Sequence, residues 1–111
     1  MKVITNAGRF CATNQAAYEE HLRVPCLSLG TYSIPAGRLD PQKPHTEDEI
    51  YVVLAGHAKL WTPRSTVEVQ AGSVIFVPAG EEHRFIEVDR DLTVLVVFGP
   101  AEQTANEADP E

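Results

Sequence analysis

The sequence is short of positive charge: nine Lys and Arg stand against sixteen Asp and Glu, a net charge of −7. Phosphate-backbone binding depends on clustered Lys and Arg, and no basic stripe occurs, so neither nucleic acid nor an anionic membrane surface is expected as a partner. Long apolar runs are missing too. No segment reaches the roughly 20 residues that span a bilayer, and MKVITNAGRF at the start has no apolar core of signal-peptide length. The expected location is the cytoplasm. Cysteine is scarce: Cys11 and Cys26 are the only two, and neither belongs to a Cys-x-x-Cys, which removes the usual redox and zinc motifs. Both are expected as free thiols acting as small buried hydrophobes. No serine or cysteine stands in a nucleophile-plus-base arrangement that would suggest acyl transfer.

What remains is an ordinary globular composition. The chain has 111 residues, 43% of them apolar, which suffices for one compact core. Residues 14–22, NQAAYEEHL, are Ala- and Glu-rich behind a capping Asn14 and predict one short N-terminal helix closed by Pro25. From residue 26 to 98 the pattern is all-β. The segments 26–34, 49–56, 57–61, 65–70, 73–77, 82–88 and 92–98 are short and mostly bounded by Gly or Pro turns, as in a sandwich or barrel. This divides the chain into an N-terminal segment (1–25), a barrel (26–98) and a flexible acidic tail (99–111). IYVVLA, VIFV and LTVLVVF are apolar on both faces, so both faces need cover. The helix would shield one patch and a second copy of the chain another, which predicts a homodimer.

The stretch PHTEDEIYVVLAG (44–56) sets His45 and three acids beside a strand that must be buried. At a period of two, His45, Glu47 and Glu49 share the side that continues inward as Tyr51 and Val53. In the second half, GSVIFVPAGEEHRF (72–85) runs a strand through a Pro-Ala-Gly turn to His83. If these hairpins face each other, His83 meets His45 and Glu49. Two imidazoles and one carboxylate with open positions form a set used for non-haem Fe(II) and tolerated by Zn, Ni, Co and Mn. Glu47 and Asp48 read otherwise as surface acids, and His21 and His57 as surface histidines.

These residues resemble a small single-domain cupin. The first cupin motif, G-x5-H-x-H-x3–4-E-x6-G, is matched by Gly37, His45, Glu49 and Gly56; the second, G-x5-P-x-G-x2-H-x3-N, by Gly72, Pro78, Gly80 and His83. The resemblance implies an antiparallel jelly-roll barrel around a divalent metal (Fe, Ni, Zn or Mn) and a small-molecule ligand. It implies metal ligation by His45, Glu49 and His83. Two positions depart from the family pattern. Lys43 replaces the first motif histidine, and a protonated ammonium has no lone pair for a metal; Glu87 replaces the final Asn. Gln42 or Glu47 would complete the reduced ligand set. Lys43 is read either as a surface lysine or as a cation leaning over the pocket. Tyr32, Tyr51, Trp61, Phe76, Phe85 and Phe98 are the expected pocket walls. The function implied is metal-dependent chemistry of a dioxygenase or isomerase kind, with a non-catalytic small-molecule or metal-binding module as the alternative.

Overall fold

The computed structural model describes residues 1–102. The part of the expected tail from residue 103 onward lies outside the described residues. Six strands appear among the described residues: β1 (Ala17–Val24), β2 (Leu27–Ile34), β3 (Asp48–Trp61), β4 (Thr66–Gln70), β5 (Val74–Val77) and β6 (Arg84–Gly99). All pairings are antiparallel, in the order β1-β2-β6-β3-β4 with β5 also on β3. The architecture is all-β, and the hydrogen-bonded path is open rather than closed into a full barrel.

The expected N-terminal helix is absent. Ala17–Val24 instead pairs with β2 across a hairpin whose connection is Pro25-Cys26, from Ala17↔Ser33 to Val24↔Leu27. Local helix propensity among Ala and Glu is worth only tenths of a kcal/mol per residue, and the ladder offered by β2 outweighs it. Both cysteines are free and exposed rather than buried.

The segments 49–56 and 57–61 form one 14-residue strand, and 82–88 and 92–98 contribute to one 16-residue strand. Gly56 is the reason β3 continues where a stop was expected. It takes φ 101°, and a Cβ there would run into the carbonyl of Asp91 on β6. The strand bends through the glycine, with register shifts against β6 on either side. Before the bend, β3 pairs with β5; after it, with β4. The two long strands thereby serve both halves of the fold.

The core faces inward from the rows Tyr32–Val94–Val53 and Gly30–Val96–Tyr51, and beyond the bend holds Ala58, Leu60, Val69, Phe85 and Val88. Burying one such large side chain contributes about 1.5–3 kcal/mol. Gly30 leaves room on the inner face: a Cβ would overlap the ring of Tyr18, which lies across it. The outer face keeps Ile50, Leu54, Val67, Val74 and Phe76 at 40–66% exposure.

Candidate metal centre

The two motif hairpins are stitched together by backbone. The Gly80 N–H donates to the His45 carbonyl at 2.7 Å, and the Ala79 N–H donates to Asp48 Oδ1 at 2.9 Å. Pairing of Glu49 with both Phe98 and Val77 fixes the start of β3 between its neighbours. Period two then turns Glu49 and Tyr51 inward and leaves Ile50 outside.

His45, Glu49 and His83 converge, with one ligand atom from each lying within 4.8 Å of the others. Donors about 2.0–2.2 Å from a shared ion sit roughly 3–4 Å apart, so slight side-chain movement closes the set. His83 is 1% exposed and Glu49 2%. The Nδ1–H of His83 donates to the Glu81 carbonyl at 2.8 Å, which leaves Nε2 facing Glu49 Oε1 (3.0 Å) and the Tyr51 hydroxyl (2.9 Å). His45 packs edge-on against Phe98, ring centroids 4.8 Å apart, with Nε2 3.2 Å from Gln42 Oε1. Its Nδ1 is 3.7 Å from a carboxylate oxygen of Glu102. Both imidazoles thus have Nδ1 turned to an oxygen, which leaves Nε2 of His83 to Glu49 and Nε2 of His45 to Gln42 Oε1; outer partners orient metal-ligating histidines in this way.

Neither Glu49 oxygen receives a hydrogen bond, although both are fully buried. The 3.0 Å approach of His83 is a close charge contact without hydrogen-bond direction. A buried carboxylate with only this one contact is costly to hold, and a divalent cation between the three side chains would offset that cost. The residues present therefore fit a metal ion. Burial lowers the His83 pKa, but the Glu49 carboxylate and the Glu81 carbonyl outweigh it, and the net displacement is upward. Burial, with Glu49 beside it, pushes the Tyr51 phenol far up. Tyr32 is raised by burial and by Asp40, and Tyr18 by burial and Glu102.

A cavity of about 170 Å³ adjoins the cluster, lined by Tyr18, Tyr32, Gln42, His45, Glu49, Tyr51, Phe98 and Glu102 among others. Of the expected walls, Tyr32, Tyr51 and Phe98 face it. Phe85 lies behind, its ring tilted against that of Tyr51 with centroids 4.9 Å apart. Phe76 is 61% exposed on the outer face, and Trp61 lies under the guanidinium of Arg84 at 4.8 Å; neither lines the cavity. Lys43 is exposed and also absent from the lining. Glu47 is buried, at 2% exposure, rather than a surface acid; it is bonded by the Thr46 hydroxyl and stands outside the three-residue cluster. Glu87 pairs with Lys59 at 3.2 Å.

Two cavity residues, Tyr18 and Glu102, and one residue behind the cavity wall, Asp40, had no signal in the sequence reading. Tyr18 was hidden inside the expected helix. Asp40 lies in the loop before the first motif histidine. Glu102 lies in the expected tail, and its position depends on distant partners: its N–H donates to Ser28 Oγ at 2.9 Å, its carbonyl accepts from Arg23 at 2.8 Å, and Ala101 beside it is 1% exposed. Burial raises the Glu102 pKa.

Comparison with known proteins agrees with this geometry. The cupin domain family matches residues 30–98, and the chain belongs to it. An uncharacterised protein of Streptomyces coelicolor is 46% identical over 91 residues, covering 82% of this chain and 87% of its own. Among solved structures, an RmlC-like cupin from Desulfovibrio desulfuricans superposes with TM-score 0.74 at 22% identity, covering 91% of this chain and 98% of its own. The DMSP lyase DddQ from Ruegeria pomeroyi gives TM-score 0.71 at 25% identity over 77% of this chain. The match takes in 47% of that lyase chain, about half its length.

Proposed function

We propose that this cupin is a metal-dependent enzyme acting on a small organic substrate in the cavity beside His45, Glu49 and His83. The observation that carries the reading is the buried Glu49 carboxylate, with two oxygens and no hydrogen-bond donor for either. When bound, a divalent Fe, Ni, Zn or Mn ion supplies Lewis acidity or a centre for dioxygen chemistry. His45 and His83 would hold it through Nε2 and Glu49 through a carboxylate oxygen. The Tyr51 phenol, kept protonated by burial, donates to Gln42 Oε1 at 3.0 Å and lies 2.9 Å from His83 Nε2, so it braces side chains around the same space. Tyr18, Tyr32 and Phe98 supply an apolar wall that limits access of water. A cavity of this size takes a substrate of a few non-hydrogen atoms, and the chemistry is of a dioxygenase or isomerase kind. The fold itself does not choose among reactions; one structural neighbour is a lyase.

Lys43 in place of a motif histidine favours a second reading, a non-catalytic cupin that binds a metal or a small molecule. Metal content of protein purified without chelator, followed by assays of oxygen uptake and of isomerisation with small diketones, separates the readings. Stoichiometric metal with turnover supports the enzyme, stoichiometric metal without turnover on any substrate class supports the binding module, and metal-free protein rejects the centre.

A homodimer completes the proposal. β5 is an edge strand, VIFV, without a single charge, and Val74 and Phe76 on it are 66% and 61% exposed. Edge strands that stay unpaired are normally guarded by charge, as β1 is by Glu19, Glu20 and Arg23. A second copy covering β5 removes this exposure. Two exposed free thiols fit the reducing cytoplasm.

A further inference from the structure

The geometry points to Gln42 as a fourth metal ligand, with Asp40 as the positioning residue that aims its amide oxygen at the centre. The inference rests on the metal reading above. It concerns a vertex for which the family motif offers only Lys43, whose side chain is exposed.

Asp40 is 6% exposed and accepts four hydrogen bonds. Oδ1 takes the Tyr32 hydroxyl at 2.5 Å and the Gln42 backbone N–H at 3.2 Å. Oδ2 takes the Phe85 backbone N–H at 2.8 Å and the Gln42 side-chain NH2 at 2.5 Å. Its two oxygens are therefore committed, and Asp40 is not itself a ligand. Its effect reaches the centre through the Gln42 amide, whose two ends differ: NH2 only donates and C=O only accepts. With NH2 held by Asp40, the oxygen is directed the other way, 3.2 Å from His45 Nε2 and 3.0 Å from the Tyr51 hydroxyl. Turning the amide over would set its oxygen against the Asp40 carboxylate and forfeit the Tyr51 bond. Prolines at 41 and 44 bracket Gln42 and Lys43 and restrict the backbone there. One of the two bracketed side chains faces the cavity while the other faces solvent.

The arrangement parallels a carboxylate that orients a ligating histidine, with an amide in place of the imidazole. Outer partners of that kind change metal affinity by roughly 10–100-fold when removed.

The test measures metal affinity by chelator competition, together with the visible spectrum of the Co(II)-loaded protein. The proteins are wild type, Gln42→Ala, Asp40→Asn, the double variant and His83→Ala. The expected result for Gln42→Ala is an affinity loss at least as large as the roughly 10–100-fold typical of an outer partner, and a changed Co(II) spectrum. Asp40→Asn should weaken binding less, and in the Gln42→Ala background it should cost nothing further, because its effect passes through Gln42. Unchanged affinity and spectrum in Gln42→Ala, with metal lost in His83→Ala, overturns this inference and leaves the three-residue centre standing. Fully additive losses overturn the positioning role of Asp40. Wild-type protein that binds no metal overturns the centre and this inference together. Gln42→Ala decides the ligand role even where an Asp40 variant fails to fold.

Discussion

β3 carries two clusters of histidine and carboxylate, one on each side of its bend, and they behave in opposite ways. Before Gly56, Glu49 meets His45 and His83 inside the fold. After it, His57 stands outside, with Nδ1 2.9 Å from Asp89 and Nε2 3.2 Å from Glu68. The outer histidine has an acid on each nitrogen, and those acids are 63% and 71% exposed. Water solvates every charge there, so nothing is left wanting a cation. In the inner cluster His83 turns Nε2 to the Glu49 carboxylate, which is fully buried and receives no directed hydrogen bond. Residue types are alike in the two places. Burial and the shortage of hydrogen-bond donors make the inner cluster, and not the outer one, a candidate metal centre.

The largest expected effect separates the clusters directly. His83→Ala should lower metal affinity by more than about 100-fold, exceeding the loss typical of an outer partner, whereas His57→Ala should keep stoichiometric metal. Elemental analysis of both variants after dialysis checks this. Next is the bend between them. Gly56→Ala forces a Cβ into a left-handed conformation and against Asp91, so unfolding free energy should fall by at least about 2 kcal/mol in a denaturant titration. A near-neutral result would mean that the bend is not fixed by that contact.

A smaller effect concerns pH. The folded pKa of His83 is raised above its ordinary 6.5, so in metal-free protein its contribution to stability is present in full below about pH 6.5 and lost as pH rises through the folded value. The metal-free wild type should therefore lose more stability between about pH 6 and pH 8 than His83→Gln does. Thermal melts of the two across that window check the sign. His57, also raised by Glu68 and Asp89, contributes equally to both proteins and cancels. Metal binding reverses the dependence, since ligation needs the neutral ring and acid displaces the ion. The smallest effect is at Lys43: Lys43→Ala should leave metal content unchanged and stability within about 0.5 kcal/mol. A fall in metal content there would place the lysine in the pocket.

The family and the convergence of residues 45, 49 and 83 were legible in the sequence because two spaced motifs and a period-two strand constrain side-chain direction strongly. β1 was not, because helix propensity is local and the ladder with β2 is tertiary. The strand through Gly56 was not, because a glycine that ends a strand and one that bends it look alike in sequence. VIFV is apolar throughout, so periodicity could not say that Ile75 packs inward while Phe76 faces out. Asp40 and Glu102 reach the site through partners far away in the chain, Phe85 and Ser28, and spacing carries no trace of that.

The most direct measurement is an anomalous-difference map from crystals soaked in a divalent metal. The account predicts one strong peak within bonding distance of His45 Nε2, Glu49 and His83 Nε2. A map with no peak there, or with its principal peak at His57, would contradict it.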